Sequence, residues 1–119
     1  MMSAPLTLNL VEGSVTFSFS AQAAQILKQE IAQLMERLKV TAAKAAPGVA
    51  VSKASPQKAM EYQHAGDVFI EIFCNPNIWP SPFAAKVLIT VRDERIRLTT
   101  EAELSRIVED VNQYLERVG

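Results

Sequence analysis

The sequence predicts an α+β two-layer sandwich: an antiparallel sheet of about five strands, in the order β-β-α-β-β-β-α, with its helices on one face. Two observations carry this prediction. Apolar residues alternate with polar ones in two hairpin-like stretches, and each stretch is followed by a long segment whose apolar residues recur at three- and four-residue steps. At 119 residues the chain fits one domain, 1–119, with a less regular link over 45–66.

Leu6, Leu8 and Leu10 alternate with Thr7 and Asn9, and Val15, Phe17 and Phe19 alternate with Thr16 and Ser18, around Glu12 and Gly13. That is a hairpin pattern. With Glu12 and Gly13 as the turn, Leu10 faces Val15, Leu8 faces Phe17 and Leu6 faces Phe19, so all six apolar side chains share one face. Ser20 then caps a helix with Ala24, Leu27, Ile31, Leu34, Met35 and Leu38 on its apolar stripe. This helix is expected to fray in the alanine-rich stretch before Pro47 and Gly48. In the link, Ser55 and Pro56 form an N-cap and N1 pair that predicts a short helix over Pro56 to Gln63.

Val68 to Phe73 is dense in β-branched and aromatic residues, apolar on both faces except at Glu71, and is placed at the centre of the sheet. Lys86 to Arg92 and Arg95 to Thr99 flank Asp93 and Glu94 as a second hairpin, with Ile89, Val91, Ile96 and Leu98 on one face. Finally, Thr100 and Glu103 have the spacing of a capping box ahead of a stripe formed by Leu104, Ile107, Val108, Val111, Leu115 and Val118. Glu101 and Glu103 suit the positive end of that helix, and Gly119 ends it.

Composition excludes more functions than it selects. Hydrophobic residues make up 49% of the chain and charged residues 21%, as in an ordinary globular protein, and the net charge of −1 offers no global attraction for nucleic acid or anionic membrane. A single cysteine cannot form an internal disulfide, and no Cys/His cluster exists to hold zinc; a reducing cytoplasm is the expected compartment. The N-terminus lacks a basic and apolar leader, and no apolar run approaches ~18 residues, so neither secretion nor membrane spanning is expected.

Catalytic signatures are similarly sparse. His64 and Cys74 lie ten residues apart in sequence, toward opposite ends of the central strand, too far for a dyad. Glycines never cluster into a phosphate loop. Glu109 and Asp110 on the last helix read as a solvated face. No catalytic residue, metal ligand or cofactor is predicted.

Two surface features remain. The first is apolar: if Val68, Ile70 and Ile72 face the helices, Phe69, Phe73 and Leu88 point to the opposite face, and in the reverse register Ile70 and Ile72 point there instead; either way two helices cover one face only, and the other needs a partner or the middle link as a lid. A proline-broken loop, Cys74 to Phe83, extends this patch with Ile78, Trp79 and Phe83, and tryptophan is enriched at binding hot spots. The competing possibility for Trp79 is that it tucks into the core of its own subunit. The second feature is basic: five cationic side chains and no acid between Arg37 and Lys58, and Arg92, Arg95 and Arg97 on the outer face of the second hairpin. These are either anion contacts or charges that keep strand edges soluble.

The segment Arg95-Ile96-Arg97-Leu98-Thr99-Thr100-Glu101-Ala102-Glu103-Leu104, followed by Val108-Glu109-Asp110-Val111-Asn112-Gln113-Tyr114-Leu115, resembles the tail of small cyanobacterial assembly proteins. Among them are the carboxysome shell-assembly chaperones, dimer-forming α+β proteins that hold the C-terminal extension of a shell protein. The resemblance implies a peptide-binding assembly factor in the cytoplasm, and it transfers no site residue.

Together these features lead to the expectation of a non-enzymatic interaction module, a homodimer that binds a segment of another protein, with no nucleic acid or membrane partner. The alternative is a small-anion binding protein with a pocket between sheet and helices, using Arg92, Arg95 or Arg97.

Overall fold

A computed structural model describes residues 4–44 and 56–118. The chain runs β1 (Ala4–Asn9), β2 (Ser14–Phe19), α1 (Ala21–Lys44), β3 (Met60–Ala65), β4 (Phe69–Cys74), a 3-10 turn (Pro76–Ile78), β5 (Lys86–Arg92), β6 (Arg97–Glu103) and α2 (Leu104–Val118). The fold is α+β, as expected, with helices packed on the main sheet. Its strands form two antiparallel sheets rather than one: a two-stranded ribbon, β1-β2, and a four-stranded sheet in the order β3-β4-β5-β6.

The ribbon keeps its expected face but shifts register by two residues. Leu8 pairs with Val15, Leu6 with Phe17 and Ala4 with Phe19. The reason is the turn, which takes four residues, closed by the Leu10 N–H donating to the Gly13 carbonyl at 2.9 Å. Gly13 has φ +102°, a conformation that L side chains rarely adopt. A two-residue slip preserves parity, so Leu6, Leu8, Phe17 and Phe19 still point inward together and are buried.

Helix α1 starts as predicted, with the Ser20 hydroxyl oxygen accepting from the Ala23 N–H at 3.1 Å. Its stripe of Ala24, Leu27, Ile31, Leu34 and Leu38 is buried, with Met35 half-buried beside it. The fraying expected before Pro47 and Gly48 lies outside the described residues, as does most of the link.

Two segments differ from the sequence expectation. The short helix predicted over Pro56 to Gln63 is instead an irregular stretch leading into strand β3. Met60, Tyr62 and His64 alternate with Glu61 and Gln63, so only an extended backbone buries Met60 and Tyr62 against Ile72 and Cys74 of β4. Thr100 and Glu103 do not cap a helix either. They belong to β6, where Thr100 pairs with Ile89, Ala102 with Val87 and Glu103 with Lys86, and this ladder takes precedence over a cap. Glu101 accordingly sits in the strand, away from the helix end. Helix α2 follows β6 directly, and its first N–H, from Leu104, donates to the Ala85 carbonyl at 3.0 Å. The stripe of Leu104, Ile107, Val111 and Leu115 is buried as predicted. Gly119 lies outside the described residues.

The ribbon crosses the main sheet on its helix side. At one end the Val11 N–H donates to the Glu101 carbonyl on β6, while at the other the Phe19 ring meets His64 on β3, edge to face at 5.0 Å. Side chains of α2 close the outer edge of β1: Asp110 accepts from the Asn9 N–H and from Asn9 Nδ2, both at 2.8 Å, the Tyr114 hydroxyl donates to the Ala4 carbonyl, and Arg117 donates to the Pro5 carbonyl. Asp110, expected on a solvated face, is therefore 7% exposed and structural. No described helix is long and apolar enough to cross a membrane.

Candidate functional site

Alternation along β4 and β5 decides which apolar groups remain outside the core. Ile70 and Ile72 turn toward the helices with Val87, Ile89 and Val91, and all are buried. Phe69, Phe73 and Leu88 turn the other way, which is the first of the two registers that the sequence allows. Phe73 pairs directly with Leu88 across the two central strands, and they are 37% and 42% exposed. They line a shallow depression of about 250 Å³ with Glu61, Gln63 and Glu71. Polar order frames it: Gln63 Nε2 donates to Glu71 at 2.8 Å, and the hydroxyls of Thr90 and Thr99 meet at 3.3 Å. Thr90, at the centre of this face, is 5% exposed because its neighbours crowd it.

Phe69 lies four residues along β4 from Phe73, toward the other end of the strand. The guanidinium of Arg92 lies over its ring, 4.2 Å from the centroid. Arg97 sits opposite Arg92 on β6, and Arg95 lies in the intervening turn. Asp93 organises that turn by accepting from the N–H groups of Arg95 and Ile96, which hold its carboxyl below the ordinary carboxylate range. Asp67, Asp93 and Glu94 line the same surface depression as Arg92 and Arg95. The arginines are thus on or beside the outer face, not between sheet and helices, and carboxylates accompany them. A pocket of that kind between the layers is not where these residues lie.

The loop from β4 to β5 leaves the sheet at the Phe73–Leu88 end and is tied down along its length. Asn75 Oδ1 accepts from the Asn77 N–H at 3.0 Å, and Pro76 is buried at the start of the 3-10 turn. Thr41 of α1 donates to the Pro76 carbonyl, while Asn77 exchanges two hydrogen bonds with the backbone of Gln57. Trp79 is half-buried against the core, and the Cys74 thiol at the end of β4 is buried. Burial pushes that thiol up to about 11. Ile78 and Phe83 face outward instead, 66% and 88% exposed. A turn closed by the Ala84 N–H on Ser81 presents Phe83.

The structure therefore brings Phe73 and Leu88 together and mounts Ile78 and Phe83 on an anchored loop at their end of the sheet. It separates Phe69, which pairs with Arg92, and turns Trp79 inward.

His64 and Cys74 stand apart on neighbouring strands, His64 opposite Ile70 and Cys74 opposite Met60. Among the described residues no group of three or more His, Cys, Asp or Glu side chains could hold a metal ion. Sequence reasoning missed Asp110 and Tyr114, whose spacing of three and seven from Ile107 places them on the buried stripe of α2. Comparison with protein-family models, with curated proteins and with solved structures finds no match to this chain.

Proposed function

We propose that this chain is a non-enzymatic interaction module, a homodimeric assembly factor or chaperone of the cytoplasm that holds a segment of another protein, in the manner of the carboxysome shell-assembly chaperones its tail resembles. The observation that carries the proposal is the exposed pair Phe73 and Leu88 on the side of the sheet opposite the helices, with Ile78 and Phe83 exposed on the loop that leaves the sheet at the same end. A core-forming protein gains nothing from phenylalanine at 88% exposure, whereas a partner's apolar segment laid across this surface would cover it. The anchored loop keeps Phe83 presented before binding, which lowers the ordering cost of association.

The anion-binding alternative has less in its favour. Arg92 is engaged over Phe69, and Asp67, Asp93 and Glu94 offset the positive field around it and Arg95.

A photo-crosslinking amino acid placed at position 83, and separately at position 88, tests the proposal in cells. Crosslinking of one distinct protein at both positions is the expected result, with a control at exposed Gln29 of α1 remaining unreacted. If positions 83 and 88 react no more than position 29, the surface is not a docking site.

A further inference from the structure

We infer that strand β2 is the seam of a two-fold dimer, pairing antiparallel with β2 of a second copy of this chain. The inference deepens the dimeric reading above and rests on it.

The argument starts from the ladder. Leu10 donates to Gly13 at the ribbon turn, so hydrogen-bonded pairs recur at Leu8–Val15 and Leu6–Phe17, while at the strand end the Ala4 carbonyl accepts from Tyr114. The backbone groups of Asn9, Thr7 and Pro5 then point away from β2, which agrees with Asn9 donating to Asp110 and the Pro5 carbonyl accepting from Arg117. By the same alternation, the N–H and C=O groups of Ser14, Thr16 and Ser18 point away from β1. Among the described residues β2 pairs with β1 alone, and no hydrogen bond reaches that outer edge.

The other edges are managed. That of β1 carries Pro5 and is closed by α2; that of β6 is blocked where Val11 donates to Glu101 and is lined by Arg97, Glu101 and Glu103; that of β3 carries Glu61. The β2 sequence, Ser-Val-Thr-Phe-Ser-Phe, has no charge and no proline.

That neutrality identifies the occupant. Antiparallel self-pairing sets no like charges opposite one another, and placing Thr16 on the two-fold axis gives Ser14 the partner's Ser18 as its mate. Every outward N–H and C=O of the strand is then satisfied. The same register sets Val15 against the partner's Phe17 on the apolar side. Val15 is the inward residue of β2 that a single chain leaves only partly buried, so the second copy completes its burial.

Charge reversal at the axis tests the seam. Thr16 is exposed, so Thr16→Lys and Thr16→Glu chains should fold, with unchanged circular dichroism. Each alone should dissociate at about tenfold higher protein concentration than wild type at low salt, because like charges meet at the axis. An equimolar mixture should recover the wild-type dimer mass by light scattering. Gln29→Lys, on the exposed side of α1, should leave the dimer intact. Dimers unchanged in both Thr16 variants, or a mixture that fails to recover, would overturn the β2 seam while leaving dimerisation itself standing. A monomeric wild type would overturn both. Loss of a foreign extended peptide, without any change in self-association, would assign the edge to another protein and reject the second copy.

Discussion

Replacing Trp79 with alanine separates packing from recognition within one loop. A tryptophan fully removed from water buries roughly 250 Å². Trp79 has most of its surface covered against the core, so truncation returns roughly 160 Å² of contact, and at ~25 cal/mol per Å² this costs about 4 kcal/mol. The unfolding entropy of ~2.1 cal/mol/K per residue converts that loss, for this chain, into a fall in melting temperature of about 16 °C. Phe83→Ala supplies the contrast: at 88% exposure its removal should shift melting by about 2 °C or less. Both variants are measured by circular dichroism during thermal and urea unfolding, and the crosslinking yield from position 88 is followed in parallel. The expected pattern is a destabilised Trp79→Ala and a stable Phe83→Ala that crosslinks at least several-fold less. A Trp79→Ala protein melting within about 2 °C of wild type would refute the packing role and move the indole into the docking surface.

Three further outcomes follow from the same geometry. Asp110→Ala should cost about 2–4 kcal/mol by urea unfolding, because it strips the Asn9 N–H and Nδ2 of a charged acceptor in a part-buried site; a change under about 1 kcal/mol would mean water replaces it without penalty. Alkali should destabilise the fold. Cys74 is pushed up from 9.0 to about 11 and Tyr62 from 10.0 to about 12, in both cases chiefly by burial, so the unfolded chain loses these protons first and stability falls from about pH 9 to 12. In reductant, the urea midpoint of wild type should drop over that range more steeply than that of Cys74→Ala, and parallel curves would remove the thiol from the account. Gly13→Ala should cost about 1–2 kcal/mol through backbone strain alone, since nothing lies within 4 Å of the added carbon; an unchanged midpoint would show that the turn relaxes.

Periodicity made the large elements legible. The stripes of α1 and α2 and the apolar face of the ribbon follow from spacing, because a period fixes a face wherever the chain lies; for β4, apolar on both faces, spacing puts Phe69 and Phe73 on one side but leaves open which side that is. What spacing leaves open is pairing. The ribbon slipped by two residues because parity is indifferent to such a slip and only the turn length decides it. Strand β3 escaped because the local Ser55-Pro56 signal favours a helix, whereas burial of Met60 and Tyr62 depends on a partner strand that lies beyond Gly66. Thr100 and Glu103 have capping-box spacing, yet ladder bonds to β5 outweigh the cap. At the candidate site, the loop has no period, so the opposite orientations of Trp79 and Phe83 come from packing of the indole against the core and from the local Ser81 turn that presents the phenyl ring.

The contact between Asn9 and Asp110 joins residues 101 positions apart, and Arg117 reaches Pro5 across 112. Bringing such distant segments together carries a loop-closure cost that local contacts avoid. Without α2 in place, the outer backbone edge of β1 has no cover on that side. The ribbon therefore depends on a helix far along the chain to close its edge, and a substitution at Asp110 or Arg117 acts on β1 as directly as one within the strand.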